Sequence, residues 1–222
     1  MPTAELVHVC FHGIGTPARD LEPGEADYWL PHDRFLEILD LLAELPNVRI
    51  SFDDANRSDV EKGLPALLER ELTATFFVVV GRLGRPGSLD VGHPSTLLDE
   101  GMSVGNHGLR HIPWPLLSPD QLDHELVGAR EILEGITGRP IDRVALPLGR
   151  YNRSVLRRLR QLQYAQVCTS DRRLTRTGAW LEHRFSLRQD DTPETVLATI
   201  TEAQHPRRRL RNKAVGLVTR MR

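Results

Sequence analysis

The sequence predicts an α/β fold in which about seven parallel strands form a distorted (β/α) barrel, closed or nearly closed. Short apolar runs, typical of strands buried on both faces, alternate with helix-patterned segments from end to end. No linker or internal repeat interrupts this alternation. We therefore expect a single domain over residues 1–205, followed by a basic tail over 206–222.

The predicted strands are short apolar runs separated by polar or turn-forming residues. They cover residues 6–11, 48–52, 73–80, 102–106, 144–148, 165–169 and 180–187.

Helical patterns fill the intervals between the strands. Apolar residues recur at i, i+3, i+4 and i+7 from Phe35 to Leu42. Capping-box sequences begin at Ser58 and Ser118, and each predicts the start of a helix. Two more helices are predicted over 154–163 and 193–203.

Composition excludes several classes of protein. The chain has 222 residues, of which 40% are apolar and 27% charged, so it can bury a sizeable core and is neither disordered nor fibrous. A net charge of −1 gives no overall attraction to nucleic acid. Two cysteines, Cys10 and Cys168, are too few for a disulfide framework and are predicted to be buried in strands.

The first residues and the last residues of the sequence give expectations about where in the cell the protein acts. The first residues lack the basic segment and long apolar run of a signal peptide, which favours a cytoplasmic protein. The tail over 206–222 is rich in arginine and has no acidic residue. It predicts either a solvated terminus or a weak contact with an anionic membrane surface.

Polar residues cluster immediately after four predicted strands. They include His12, the Ser-Phe-Asp-Asp run at 51–54, the Asn-His-Gly-Leu-Arg-His run at 106–111 and the run over 145–152, which ends in Arg-Tyr-Asn. The carboxyl ends of barrel strands meet at one face, where active sites form. We expect these groups to converge there.

Two histidines four residues apart, His107 and His111, are able to bind one metal ion. One aspartate from the pair Asp53 and Asp54 would complete a two-histidine, one-carboxylate set with positions open to water. The other aspartate could then accept a proton from that water. A helix-capping role for the aspartate pair is the alternative.

The runs at 51–54, 107–111 and 146–149, in this order, closely resemble the first three motifs of polysaccharide deacetylases, the NodB-homology group or carbohydrate esterase family 4. The resemblance extends from about residue 6 to residue 187 and includes the helix over 118–138 with Glu125. It implies a metal-dependent hydrolase that removes N-acetyl groups from the amino sugars of a poly- or oligosaccharide. The implied partner is an N-acetylated saccharide.

The resemblance also implies roles for individual residues. Asp54, His107 and His111 would hold a divalent metal, most simply Zn²⁺, with Co²⁺, Ni²⁺ or Fe²⁺ as alternatives. Asp53 would be the general base. The backbone N–H of Leu148 would stabilise the oxyanion, at a position where family members often have an aromatic residue.

The general acid is less clear from the sequence. Much of the family takes this histidine from a C-terminal Leu-x-His motif, which this chain lacks in convincing form. The branch that deacetylates biofilm poly-N-acetylglucosamine takes it from the first strand, and the Phe-His-Gly-Ile run at 11–14 resembles that branch. We therefore predict His12 as the acid, with His183 as the alternative.

Other positions depart from the family pattern. Ala145 replaces an arginine that contacts the catalytic aspartate in many members, so Arg184 or Arg150 is expected to supply the charge.

Four residues are predicted to contact the sugar. Three of them are aromatic and suited to stacking on a pyranose ring, although each could instead be a core residue. The set is Trp29, Trp114, Tyr151 and Pro147.

Two other functions stay open. One is a related metal-dependent amidohydrolase acting on a cyclic imide or ureide. The other is a degenerate member that binds glycan without turnover, which the changes at Ala145 and Leu148 favour and the intact Asp53–Asp54 pair opposes.

Overall fold

The computed structural model describes residues 5–204, and the predicted basic tail over 206–222 lies outside them. The strands are β1 (Glu5–Phe11), β2 (Gly13–Ile14), β3 (Trp29–Leu30), β4 (Val48–Phe52), β5 (Ala74–Val78), β6 (Ser103–Asn106), β7 (Arg143–Ala145), β8 (Gln166–Thr169), β9 (Thr175–Arg176), β10 (Leu181–His183) and β11 (Phe185–Ser186). The helices are α1 (His32–Glu44), α2 (Leu64–Glu69), α3 (His93–Asp99), α4 (Pro119–Asp123), α5 (Ala129–Thr137), α6 (Arg153–Gln161) and α7 (Pro193–Gln204).

The main sheet is a nearly closed barrel of mostly parallel strands, as predicted. Its order is β10-β8-β7-β6-β5-β4-β1-β11, and β9 pairs antiparallel with β1. The terminal strands β10 and β11 are separated in sequence by Arg184 alone. The segment predicted as one strand over 180–187 therefore pairs first with β8 and then with β1, and this switch brings the two edges of the barrel together.

Two other local predictions were wrong. The strand predicted over 144–148 ends at Ala145, because Pro147 begins a 3₁₀ turn and Leu148 has a left-handed backbone with φ of 55°. A helical segment does begin at residues 57–58, as predicted, but the capping box is absent; the Ser58 hydroxyl instead accepts a hydrogen bond from the Ile14 amide, at 3.2 Å. The capping box at Ser118 is present as predicted.

Alternation along the strands gives the barrel two different faces. Residues such as Val9, Ile50 and Phe52 belong to the main apolar core with the helices. The intervening residues His8 and Cys10 lie on the other face, where the Arg184 side chain donates to Cys10 Sγ and to Ser51 Oγ. The interior of this barrel is therefore partly charged rather than filled with branched apolar residues.

The short strands β2 and β3 pair in a separate two-stranded sheet, and the loop over 15–28 connects them. Gly13 is required in β2, because a Cβ there would lie 2.1 Å from the Trp29 ring. Cys10 and Cys168 are buried, as predicted. Within residues 5–204, no helix is long and apolar enough to cross a bilayer.

Candidate metal and catalytic centre

The two aspartates sit where β4 ends, beside its parallel neighbour β1. The Asp53 amide donates to the carbonyl of Phe11, the last residue of β1, at 3.0 Å. Asp54 has a φ of 79°, an uncommon conformation for a residue other than glycine. This bend directs two consecutive carboxylates into the same buried region, where both residues are at most 2% exposed.

Asp54, His107 and His111 converge on one point. The Asp54 Oδ1 atom lies 3.6 Å from His107 Nε2 and 3.2 Å from His111 Nε2. Ligands of a tetrahedral zinc ion, at ordinary bond lengths, lie about 3.4 Å apart. Asp54 Oδ1 is buried and has no hydrogen-bond partner among the described residues, so this donor set fits a divalent metal.

The other nitrogen of each histidine is already engaged. His107 Nδ1 donates to the Ala145 carbonyl at 2.9 Å, and His111 Nδ1 donates to Glu22 Oε2 at 2.8 Å. These contacts place the Nε2 lone pairs toward Asp54. Burial lowers the pKa of His107 to about 4, against the opposing effect of Asp53, so its imidazole is neutral at neutral pH.

The histidines lie on a loop rather than a helical turn, and Glu125 holds that loop in place. The buried Glu125 carboxylate accepts from the Leu109 amide at 2.8 Å, the Arg110 amide at 3.2 Å and the Arg110 Nε at 2.6 Å. A Cβ at Gly108 would lie 2.9 Å from this carboxylate. His111, which follows this part of the loop, has a φ of 55°.

Arg184 is the charge partner of Asp53. Its two terminal nitrogens donate to Asp53 Oδ1 and Oδ2, each at 2.7 Å, in a bidentate pair with both side chains buried. Burial alone would raise the pKa of Asp53, but the Arg184 charge outweighs it and holds the pKa well below its usual range. Arg150, the other candidate, is exposed on the surface.

The two candidate acids have different surroundings. His12 is half-buried, packs on Tyr28 with ring centroids 5.0 Å apart, and has donor or acceptor atoms within 4.8 Å of those of Asp53. Its buried Nδ1 has no partner among the described residues. His183 Nδ1 instead lies 3.0 Å from both Asp171 Oδ2 and Thr169 Oγ1.

A cavity of about 630 Å³ opens above these groups. His12, Asp53, Asp54 and both metal-site histidines line it, whereas His183 is absent from the described wall. Leu148 also lines it and is 54% exposed. Residues of the loop over 15–28 and of the segment that follows β8 also line it.

The predicted sugar-stacking surfaces do not line this cavity in the described part of the chain. Trp114 is 1% exposed and packs with Leu122 and Leu126 in the core, so the prediction that it lines the cleft was wrong. Trp29 is also buried, against Gly13.

The two other predicted contacts lie elsewhere as well. Pro147 is buried, and the half-buried Tyr151 donates its hydroxyl proton to Asp171 Oδ2 at 2.7 Å.

Sequence reasoning missed Glu22 and Tyr28, which the structure brings into the cavity wall from the loop over 15–28. That loop is polar and has no periodic pattern, so only its proximity to His12 in the sequence could have drawn attention to it.

Known proteins match this chain in both sequence and fold. The family model described as polysaccharide deacetylase matches residues 43–167, which include both aspartates, both metal-site histidines and Leu148 but neither His12 nor Arg184. YxkH of Bacillus subtilis (strain 168), whose name marks it as an inferred polysaccharide deacetylase, is 23% identical over 124 residues. This match covers 56% of the chain and 44% of YxkH, so the chain spans less than half of that relative.

Two solved structures share the fold over most of their length. The Streptococcus pyogenes deacetylase PplD, in complex with acetate, has a TM-score of 0.76 and 22% identity, covering 89% of this chain and 98% of its own. IcaB from Ammonifex degensii has a TM-score of 0.71 and 21% identity, covering 90% and 97%. Since the family model covers more than half of the sequence and the barrel agrees with it, the chain belongs to the polysaccharide deacetylase family.

Proposed function

We propose that this protein is a metal-dependent hydrolase that removes N-acetyl groups from amino sugars of a poly- or oligosaccharide. The observation that carries the proposal is the orphaned Asp54 Oδ1, which faces the Nε2 atoms of both His107 and His111 beside the ionised Asp53. A buried carboxylate oxygen without a donor is costly unless a cation occupies the space before it. Family membership supports deacetylation as the reaction.

Asp54, His107 and His111 would hold the metal, with Zn²⁺ as the first candidate because two imidazoles and one carboxylate suit it. When bound, such an ion polarises a carbonyl group and lowers the pKa of water.

Asp53 is the general base in this proposal. Arg184 keeps its carboxylate ionised and fixes its plane, and each carboxylate oxygen retains a second lone pair that can accept a proton from the attacking water.

In this proposal Leu148 contacts the carbonyl oxygen of the substrate and His12 contacts the departing amine. The left-handed backbone at Leu148 is uncommon for a bulky residue, and we assign its N–H as a donor to the developing oxyanion. His12 donates a proton to the departing amine, which is a poor leaving group without one. We choose His12 over His183 because it lines the cavity beside Asp53, whereas His183 contacts Asp171.

The test measures acetate release from N-acetylglucosamine oligomers by Zn²⁺-loaded protein, together with metal content. Asp53→Asn is expected to lower kcat about 10²–10⁴-fold while keeping the metal, since it removes the base and not a ligand. Treatment with a chelator is expected to abolish turnover, and added Zn²⁺ to restore it.

Other outcomes would replace the proposal. Hydrolysis of a cyclic imide or ureide without acetate release would show the related amidohydrolase. Glycan binding that survives both chelation and Asp53→Asn, without turnover, would show a binding protein.

The choice of acid is tested by a matched pair of variants. His12→Asn is expected to lower kcat about 10²–10⁴-fold, whereas His183→Asn should retain most of it. The reverse result would assign the acid to His183.

A further inference from the structure

Glu22 joins the metal centre from outside the family motifs. It lies in the loop over 15–28, between β2 and β3, and lines the cavity with its side chain 43% exposed. Its Oε2 atom accepts the hydrogen bond from His111 Nδ1 at 2.8 Å. The region matched by the family model begins only at residue 43.

Arg82 holds Glu22 in that position. The Arg82 side chain, 11% exposed, donates one terminal N–H to Glu22 Oε1 at 2.5 Å and another to the Asp54 carbonyl at 3.3 Å. Arg82 therefore ties the loop that carries Glu22 to the turn that carries Asp54. The result is a connected path from one metal-site residue, through Arg82 and Glu22, to another.

From this geometry we propose that Glu22 is a positioning residue for the metal centre, acting through His111. A carboxylate on Nδ1 fixes the imidazole tautomer with its proton on that atom, so that Nε2 presents its lone pair beside Asp54 Oδ1. The carboxylate also limits rotation of the ring and makes Nε2 a stronger lone-pair donor to a metal ion. His107 has only the neutral Ala145 carbonyl in the equivalent place, so the charged support is specific to His111. This inference rests on the proposed function, since it requires that the centre binds a metal.

The experiment measures Zn²⁺ affinity of the metal-free protein by competition with a chromophoric chelator. Glu22→Gln is expected to weaken Zn²⁺ binding about 10–100-fold. Asp27→Asn is the matched control, because Asp27 is an exposed acid of the same loop and the same cavity wall, whereas the carboxylate hydrogen-bonded to His111 Nδ1 is that of Glu22. This control should bind Zn²⁺ as the wild type does. Glu22 is partly exposed, so we expect both variants to fold, and thermal unfolding of the metal-free proteins checks this.

A double-mutant cycle tests whether Glu22 acts through His111. His111→Ala should weaken binding by itself, and adding Glu22→Gln to it should cost nothing more. Equal losses in both backgrounds, or wild-type affinity of Glu22→Gln, would overturn the inference while leaving the metal site intact. Failure of the wild type to bind Zn²⁺ would instead overturn the proposed function.

Discussion

The barrel contains two buried polar clusters that resemble each other in composition and differ in how their polar atoms are paired. The upper cluster, at the carboxyl ends of the strands, comprises Asp53, Asp54, His107 and His111. The lower cluster, deeper in the barrel, comprises His8, Arg49, Gln166 and Glu182.

The lower cluster satisfies its carboxylate with protein atoms alone. Glu182 accepts from His8 Nδ1 at 2.8 Å and from Gln166 Nε2 at 2.5 Å, and it forms an ion pair with Arg49. Among the buried side-chain nitrogen and oxygen atoms of this cluster, only His8 Nε2 has no hydrogen-bond partner in the described part of the chain.

In the upper cluster, Asp54 Oδ1 faces two imidazole nitrogens and receives no hydrogen bond from any described residue. A carboxylate that accepts hydrogen bonds on both oxygens stabilises the fold. A carboxylate oxygen without a donor, facing the lone pairs of two imidazoles, is instead suited to bind a cation.

Substitution of the orphaned carboxylate gives the largest expected effect. Asp54→Asn should reduce bound Zn²⁺ from near one per chain to near zero and abolish acetate release, because it removes a charged ligand. The free energy of unfolding of the metal-free protein should stay the same or increase, since the variant removes a buried charge whose Oδ1 accepts no hydrogen bond and whose one cationic neighbour among the described residues, Arg82, lies 3.7 Å away. Elemental analysis and urea denaturation measure both quantities, and a stoichiometric metal in the variant would contradict the assignment.

The buried ion pair between Arg184 and Asp53 of the upper cluster should give the next largest effect. Arg184→Met leaves the Asp53 carboxylate buried and unpaired, which is expected to lower the free energy of unfolding by about 3–5 kcal/mol. The double variant Asp53→Asn/Arg184→Met should recover much of that loss without recovering activity. Urea denaturation of the three proteins tests this, and wild-type stability of the single variant would show that the pair contributes little.

The Glu182 carboxylate of the lower cluster should contribute to the stability of the protein but not to metal binding. Glu182→Ala is expected to cost about 3 kcal/mol, near the lower end for a buried pair, because Arg49 is partly exposed and can be solvated. Bound Zn²⁺ should remain near one per chain in the folded variant. Loss of metal at full stability would reverse the roles we assign to the two clusters.

The smallest expected effect comes from the strained backbone of Leu148, which lines the cavity. Leu148→Gly should raise the free energy of unfolding by about 1 kcal/mol, because a left-handed conformation disfavours a residue with a Cβ. Leu148 is 54% exposed, so little buried surface is lost. Leu148→Ala, which keeps the Cβ, is the control and should show no such gain in urea denaturation.

Most of the fold was predictable because apolar runs and helical periodicity are local signals. The strand over 48–52 agrees residue for residue with β4, and the Ser118 capping box is present. The prediction failed where distant parts of the chain decide the outcome. Trp114, between two prolines and close to His111, had the sequence context of a surface loop, yet its turn packs into the core.

The metal-site residues could be predicted from the sequence, but the residues that form hydrogen bonds and ion pairs with them could not. The spacing of the histidines and the paired aspartates indicated a metal centre, and the structure brings Asp54, His107 and His111 together. The choice between Arg184 and Arg150 depended on the strand switch that closes the barrel, which pairs residues 131 positions apart. Glu22 contacts His111 across 89 positions and belongs to a loop with no pattern of its own.

Local patterns in the sequence predicted the main strands and helices and the residue types available for chemistry, since these depend on neighbouring residues; the short strands β2, β3 and β9 were not predicted. Which carboxylate oxygens accept hydrogen bonds from the protein, and which do not, depends on the tertiary structure. Arg184 reaches Asp53 only because the last strands return to β1, and Asp54 Oδ1 accepts no hydrogen bond because the turn at its positive φ directs it toward the two imidazoles. Pairing in a buried site depends on contacts between chain segments far apart in sequence, and closure of the barrel creates those contacts.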